Sequence, residues 1–497
     1  MPETVAVPRV PAEQFTLENG LRVILSEDHA VPVVSVAVYY DVGSRNEREG
    51  RTGFAHLFEH MMFQGSENVP KAAHFQYVFN SGGTMNGTTS TERTNYYETL
   101  PSHQFPLALW LESDRMRSLK VTQENLDNQR HAVQEEKRLT YDNRPYSGAF
   151  LRLNEMVFRN PANAHSTIGS MEDLDAASVE DVREFFRIYY APNNAVLSIV
   201  GDFDPAEARS LVEKYFASIP RQPAPPVVNV DESAEVAARF ESYPDRFAQL
   251  PALMLGWKAP VRRTPEFYAL ALASDLLLEG ESSRLYQRLV KGDESVVAVQ
   301  GGMGERRGPS SLYLFAIPKP GKTTDEIRAT IMGEIDRLAS EGATPGEMEK
   351  LRNNLLNDSV RGRQSTMFRA QMLAEYTLYD GDPDLINTEL EHYLRVTPEE
   401  IKEAAARFLS SDNFSLIEVV PAPDDAETPT AGTAAPSTSA AETGGAEQPG
   451  APPPQVPPRP PAQPPAPTGE TPASPLAHDG PHPEKPAQPA DAPQVKV

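Results

Sequence analysis

Two stretches 219 residues apart decide how this chain is built. The first is Ser178-Val179-Glu180-Asp181, leading on to Asn194-Ala195-Val196-Leu197-Ser198-Ile199-Val200. The second is Thr397-Pro398-Glu399-Glu400, leading on to Asn413-Phe414-Ser415-Leu416-Ile417-Glu418-Val419. Each reads as a helix opened by a Ser or Thr cap with an acidic residue three positions on, then a polar turn with Asn, then an apolar strand. A whole unit that recurs in this way marks an internal duplication. The expected fold is α+β, with two similar halves, each a mixed or antiparallel sheet covered by helices.

Composition sets the limits of those halves. Of 47 prolines in 497 residues, 22 lie in 421–497, a stretch with no Phe, Tyr or Trp. Such a stretch buries too little apolar surface to offset the entropy of ordering, so 422–497 is expected to be a disordered Pro/Ala-rich tail. The remaining chain, about 420 residues, exceeds one compact core. It divides into an N-terminal domain at 1–218, a linker at 219–236 that opens Ile219-Pro220-Arg221-Gln222-Pro223, and a second domain at 237–421. The net charge is −24, and the tail accounts for nine acidic and three basic residues, so −18 stays with the domains. That balance argues against nucleic acid or an anionic membrane as partner, since both call for clustered Lys and Arg. No run of apolar residues is long enough to span a bilayer. The opening Met1-Pro2-Glu3-Thr4 shows no basic segment followed by an apolar one, so the expected location is cytoplasmic, with an extracytoplasmic one left open. The absence of Cys excludes disulfides, thiol catalysis and iron–sulfur clusters, and any metal site must use His and carboxylates.

In the first half, Leu21–Leu25 and Val31–Tyr40 read as strands. Arg51–Gly65 reads as a helix capped by Thr52 and ended by Gly65, and Thr84–Leu100 as one or two strands with a polar face. Helical patterns follow at 104–119 and 122–142. The first helix carries His56-Leu57-Phe58-Glu59-His60. Residues four apart share a helix face, so both imidazoles can reach one ion, with Glu59 on the same side. Two imidazoles and one carboxylate suit zinc with a position open for water, and H-x-x-E-H is the inverzincin signature. Around it stand Phe54, Phe58, Met61, Met62 and Phe63, so the helix is expected to be largely buried, and buried His and Glu need a reason. A third ligand can come from the helix at 122–142, where helical geometry leaves both Glu135 and Glu136 open.

Further motifs stand in order along the chain. They are Asp41-Val42-Gly43-Ser44-Arg45-Asn46-Glu47, the run Gly53–Gly65, Gly82-Gly83-Thr84-Met85-Asn86, Val133-Gln134-Glu135-Glu136, Tyr190–Leu197, Gly201-Asp202-Phe203-Asp204 and Ser282-Ser283-Arg284-Leu285. In type and spacing the chain resembles the pitrilysin/insulinase family of zinc peptidases, most closely its short-chain bacterial and mitochondrial-processing-peptidase-like branch. The resemblance covers about residues 15–420. It implies one Zn2+ per chain held by His56, His60 and Glu136, with Glu135 as the fallback ligand. It makes Glu59 the general base and β-strand residues Thr84, Met85 and Asn86 the substrate-binding edge for an extended peptide. The bland reading of Asn86 is a polar residue on a solvated edge.

Three departures from that family matter. A Glu that the family often carries seven residues before the distal ligand is here Gln129, a neutral outer-shell group. In the second half, Ala271, Ser274 and Asp275 stand where His56, Glu59 and His60 stand in the first. The family's substrate-binding Arg/Tyr pair falls at Val290 and Val297, with Arg288 or Lys291 nearby as partial substitutes. The implied function is a zinc endopeptidase for unstructured peptides, paired with a homologous subunit that brings the Arg/Tyr pair, or acting as a homodimer. The alternative is a non-catalytic peptide-binding or scaffold member of the same fold.

Overall fold

A computed structural model describes residues 7–232 and 238–423. The expected tail, from 424 on, and residues 233–237 of the expected linker lie outside the described residues. The Val-rich runs of the first half fall in a six-stranded sheet: β1 (Glu13–Thr16), β2 (Arg22–Glu27), β3 (Val33–Tyr40), β4 (Thr84–Thr89), β5 (Thr94–Pro101) and β6 (Ala195–Gly201). Its order is β1-β2-β6-β3-β5-β4, with β2 and β6 parallel and every other neighbouring pair antiparallel. The second sheet holds β7 (Arg239–Asp245), β8 (Ala252–Ala259), β9 (Val296–Met303), β10 (Ser310–Pro318) and β11 (Ser415–Pro421), in the order β7-β11-β8-β10-β9. There too the one parallel pair is β7 with β11. Leaving out β1, the two sheets have the same strand order and the same pattern of directions, so the fold is a duplication of one α+β unit. The helices Val179–Tyr189 and Pro398–Phe408, which drew the two stretches together, both start on the expected caps. Ser178 and Asp181 close one box, Thr397 and Glu400 the other.

Strands β3 and β6 are buried along almost their whole length, which explains their near-continuous apolar sequence. One face is covered by helices of the same half: α1 (Phe54–Met61), α2 (Ala73–Asn80), α3 (Phe105–Ser118) and α4 (Gln123–Lys137). The other face is covered by the second half. Helix α7 (Thr366–Asp380) lays Ala370, Leu373 and Ala374 against Ile24, Val196 and Val200. The first half returns the arrangement. Helix α5 (Ser147–Val157) packs Leu153 and Val157 against Met254, Phe315 and Ile417 of the second sheet, whose opposite face is covered by α6 (Pro265–Leu278) and its neighbours. Each sheet is therefore sandwiched between its own helices and one helix lent by the other half.

The proline-rich connection is not a free tether. Glu232 accepts hydrogen bonds from the Arg159 and Asn160 N–H groups, both at 2.9 Å, and pairs with Lys258 at 2.9 Å. It is tied to both halves at once.

Helix exchange makes the two cores interdependent. Leu373→Ala removes a fully buried side chain from the face of the first sheet and should cost about 2–5 kcal/mol. The expected calorimetric outcome is one transition shifted to lower temperature as a whole; a separate low-temperature shoulder would show that the halves unfold independently.

Candidate metal centre

Helix α1 has eight residues and starts on Gly53, whose φ of 84° is left-handed and which has no side chain to cap the helix. The cap comes from Glu47. Its buried carboxylate accepts from the Gly53 N–H at 2.9 Å and the Ala55 N–H at 2.7 Å, and His165 Nε2 lies 2.9 Å away. Thr52, expected as the cap, instead gives its hydroxyl and its N–H to Asp173. The helix is also shorter than its sequence pattern: after Met61 it tightens into turns from the Phe63 N–H to His60 and from the Gln64 N–H to Met61.

Four-residue spacing places the His56 and His60 rings side by side, 4.8 Å between centroids. Helix α4, capped by Thr122, runs against α1 and delivers Glu136. His56 Nε2 is 3.6 Å from Glu136 Oε1, and His60 Nε2 is 3.3 Å from Oε2. Glu135 points elsewhere, to a surface pair with Arg138. Of the two carboxylates that helical geometry left open, Glu136 is the one beside the histidines. Donors at about 2.0–2.1 Å from a tetrahedral zinc stand about 3.4 Å apart. The two separations bracket that value, and the donor set, two imidazoles and one carboxylate, is one zinc accepts.

The electrostatics are those of donors crowded together. Burial pushes His56 down to about 4, which keeps it neutral. Burial also acts against a charged His60, but its hydrogen bond to Glu136 and the charges of Glu136 and Glu59 prevail, and its pKa rises. Gln129, two turns earlier on α4, hydrogen-bonds the same imidazole. Glu136 is held below its ordinary value by the bond to His60.

Glu59 stands beside this group, buried on the sheet side of α1. Thr89 donates its hydroxyl to Glu59 Oε2 at 2.6 Å. Burial raises the Glu59 pKa, and the Thr89 bond pulls the other way. Gly87 leaves the space this needs: a Cβ there would come within 3.2 Å of Glu59 Oε1 and 3.1 Å of the Tyr96 ring. Alternation along β4 then puts Met85, Gly87 and Thr89 on the face toward Glu59. Thr84 and Asn86 are exposed on the other face, and Asn86 Oδ1 accepts the Gly87 N–H at 2.9 Å. So the edge strand is beside Glu59, but the Asn86 side chain is not turned toward it. Sequence reasoning quoted Glu47 within a motif without giving it a role, and it missed Gly87 and Thr89. The available signal was the period-two spacing of Gly87 and Thr89 in a strand that must face the histidine helix.

Comparison with known proteins fits this arrangement. A family model described as "Insulinase (Peptidase family M16)" matches residues 22–170, and one described as "Peptidase M16 inactive domain" matches 176–355. The chain belongs to the M16 insulinase/pitrilysin peptidase family. It is 28% identical over 403 residues to zinc protease PqqE of Helicobacter pylori, covering 79% of this chain and 90% of that one. The mitochondrial-processing peptidase subunit beta of Lentinula edodes is 23% identical over 421 residues, 81% of this chain and 89% of its own. The crystal structure of a protease from Helicobacter pylori superposes with a TM-score of 0.80 at 25% identity, over 83% of this chain and all of that one.

As an M16 chain it is asymmetric. The residues aligned in sequence with His56, Glu59 and His60, namely Ala271, Ser274 and Asp275, lie on α6, where it is Leu278 that stands against Gly301 of β9 as Glu59 stands against Gly87 of β4. Val290 is half-buried in the short π-helical segment Tyr286–Gly292 that follows α6, and Val297 is exposed on the sheet-edge strand β9. Arg288 pairs with Asp293 at 3.0 Å, and the Lys291 ammonium sits 5.8 Å from the centre of the Tyr286 ring. Among the described residues no helix is long and apolar enough to cross a membrane.

A second group of potential ligands, His74, Glu98 and Glu112, is already filled by protein. Arg115 makes a two-pronged bond to Glu112 and lies over the Tyr96 ring at 4.2 Å. His74 Nε2 is 3.3 Å from Glu98 Oε2. Burial pushes Glu98 up to about 8 and His74 down to about 3, so both are neutral near pH 7. Glu98 thus binds its proton more tightly in the fold than in the unfolded chain, where the value is 4.5. Stability conferred by this proton is full below the unfolded value and is lost as pH rises toward the folded one. Glu98→Gln abolishes that dependence. Its melting temperature relative to the wild type should climb between about pH 6.5 and 8.5, a window above His74 titration; a constant offset across the window would mean that Glu98 is ionised in the fold.

Proposed function

We propose that this chain is a zinc-dependent endopeptidase for unstructured peptides and the metal-carrying member of a pair. The observation that carries the reading is the meeting of His56, His60 and Glu136 at 3.3 and 3.6 Å, with Glu59 buried on the same helix. These three side chains would hold one Zn2+, which when bound supplies Lewis acidity toward a water and a scissile carbonyl. Glu59 takes a proton from the attacking water at its carboxylate and returns it to the leaving amine. Burial, by raising its pKa, brings it nearer the range in which one group can do both. The Thr89 hydroxyl fixes one oxygen of that carboxylate, and Gly87 keeps space beside the other.

Strand β4 ends its sheet, and an extended peptide can add to its outer edge through backbone hydrogen bonds along Thr84, Met85 and Asn86. Folded proteins rarely offer a free strand of that kind. Val290 and Val297 cannot donate a hydrogen bond to an oxyanion, and Arg288 and Lys291 are engaged locally. A homologous subunit carrying the Arg/Tyr pair would complete the site. The same two valines favour a second reading, a peptide-binding scaffold without activity.

The test is hydrolysis of a quenched, unstructured peptide by the zinc-loaded chain, alone and with a homologous subunit carrying the pair. Glu59→Gln should keep one zinc per chain and the wild-type melting temperature yet lose at least about 100-fold in kcat. Turnover that survives Glu59→Gln removes the mechanism. Zinc binding without turnover under both conditions leaves the scaffold reading standing.

A further inference from the structure

The motif Asp41–Glu47 does more than cap α1, and its other contacts lead into the second half. The turn between β4 and β5 (90–93) and the turn between β9 and β10 (304–309) occupy equivalent places in the two halves. They meet at Glu92, which is 2% exposed. Its carboxylate accepts the Arg307 N–H at 2.6 Å and the Gly308 N–H at 3.0 Å from the second half, and the Arg45 guanidinium at 2.5 Å from the motif. The Arg307 side chain continues to Asp41 at 2.5 Å. From the motif backbone, the Ser44 and Arg45 N–H groups bind Ser90 and Thr91 oxygens at 3.1 and 3.0 Å. Arg93 binds back to Thr88 from the same turn. Three residues before Glu92 stands Thr89, whose hydroxyl holds Glu59.

We propose that Glu92 is a positioning residue: through it the second half latches the tip of the β4–β5 hairpin, and the latched hairpin keeps Thr89 on Glu59. The inference rests on the peptidase reading above. A buried carboxylate bound by two backbone donors and a guanidinium is a stiff junction, because removing its charge leaves buried donors unsatisfied. A general base displaced by about 1 Å can lose on the order of 100-fold in rate. The second half thus contributes to the reaction although none of its described residues joins the His56, His60 and Glu136 group.

The experiment combines hydrogen exchange and kinetics on the full, zinc-loaded chain, with whatever subunit it needs for turnover of the quenched peptide. Glu92→Gln should speed amide exchange across residues 84–95 about tenfold or more, leave exchange across 54–61 and the zinc content unchanged, and lower kcat at least about tenfold. Thr89→Val should lower kcat comparably without loosening the hairpin, and Thr89→Ser should restore it. Because both act on one path, Glu92→Gln with Thr89→Val should be no slower than the slower single variant. Unchanged exchange across 84–95 in Glu92→Gln overturns the latch. Faster exchange with losses that multiply in the double variant overturns the link to Thr89. An inactive wild type would instead overturn the peptidase reading, and with it the link to Glu59, leaving the exchange result to judge the latch. Should Glu92→Gln fail to fold, the Val/Ser contrast at Thr89 still decides whether the hydroxyl positions Glu59.

Discussion

A two-turn helix with no cap of its own has to be held from outside, and Glu47 is what holds α1. The first N–H groups of a helix have no partner within it, and a carboxylate there also meets the positive end of the helix dipole. Here the need is acute, because His56 is the third residue of the helix. If the first turn frayed, one of the two imidazoles would leave the group. The arrangement has a cost: burial raises the Glu47 pKa, and the two N–H groups and His165 act to keep the carboxylate charged. That balance places the histidine pair, and α4 then needs only to pack alongside for Glu136 to arrive.

The duplicated helix shows the contrast. Helix α6 fills the same slot in the second half, but it begins on its own Thr264 cap with Pro265 next, and runs 14 residues through an almost wholly apolar environment. It is stable by local means. Helix α1 is short, externally capped and lined with ionisable groups, so its stability is borrowed from segment 41–47 and from α4. The exchange of α5 and α7 makes the borrowing possible on a larger scale. With both faces of β3 and β6 covered, the sheet under α1 cannot shift without disturbing the other core.

Much of this was legible in the sequence, and what was not has a physical pattern. Periodicity reports local structure, so the pair His56/His60, the two capped helices and the repeated strand were readable from side-chain types alone. Register between helices is not local: both Glu135 and Glu136 lie on α4, and only packing turns one toward α1 and the other toward Arg138. Caps delivered across the fold are likewise invisible. Thr52 has the right chemistry for a local cap, yet Asp173, 121 residues away, takes its hydroxyl while Glu47 takes its place. Nothing in the sequence of the exchanged helix α7 says that the sheet it covers belongs to the other half.

The position of Glu59 relative to β4 also bears on what a peptidase of this design can recognise. Glu59 approaches the strand from one face only, through Thr89 and the gap at Gly87, while Thr84 and Asn86 hold the opposite face in solvent. On the peptidase reading, a peptide added to the β4 edge would send alternate side chains toward α1 and toward solvent. Only every second residue could then meet a selective surface, whereas the backbone would be read at every position. Recognition dominated by the backbone is tolerant of sequence and intolerant of folded structure. On that reading the polar exposed residues of β4 fit the same logic: an open edge that accepted strands one at a time would have to resist pairing with copies of itself.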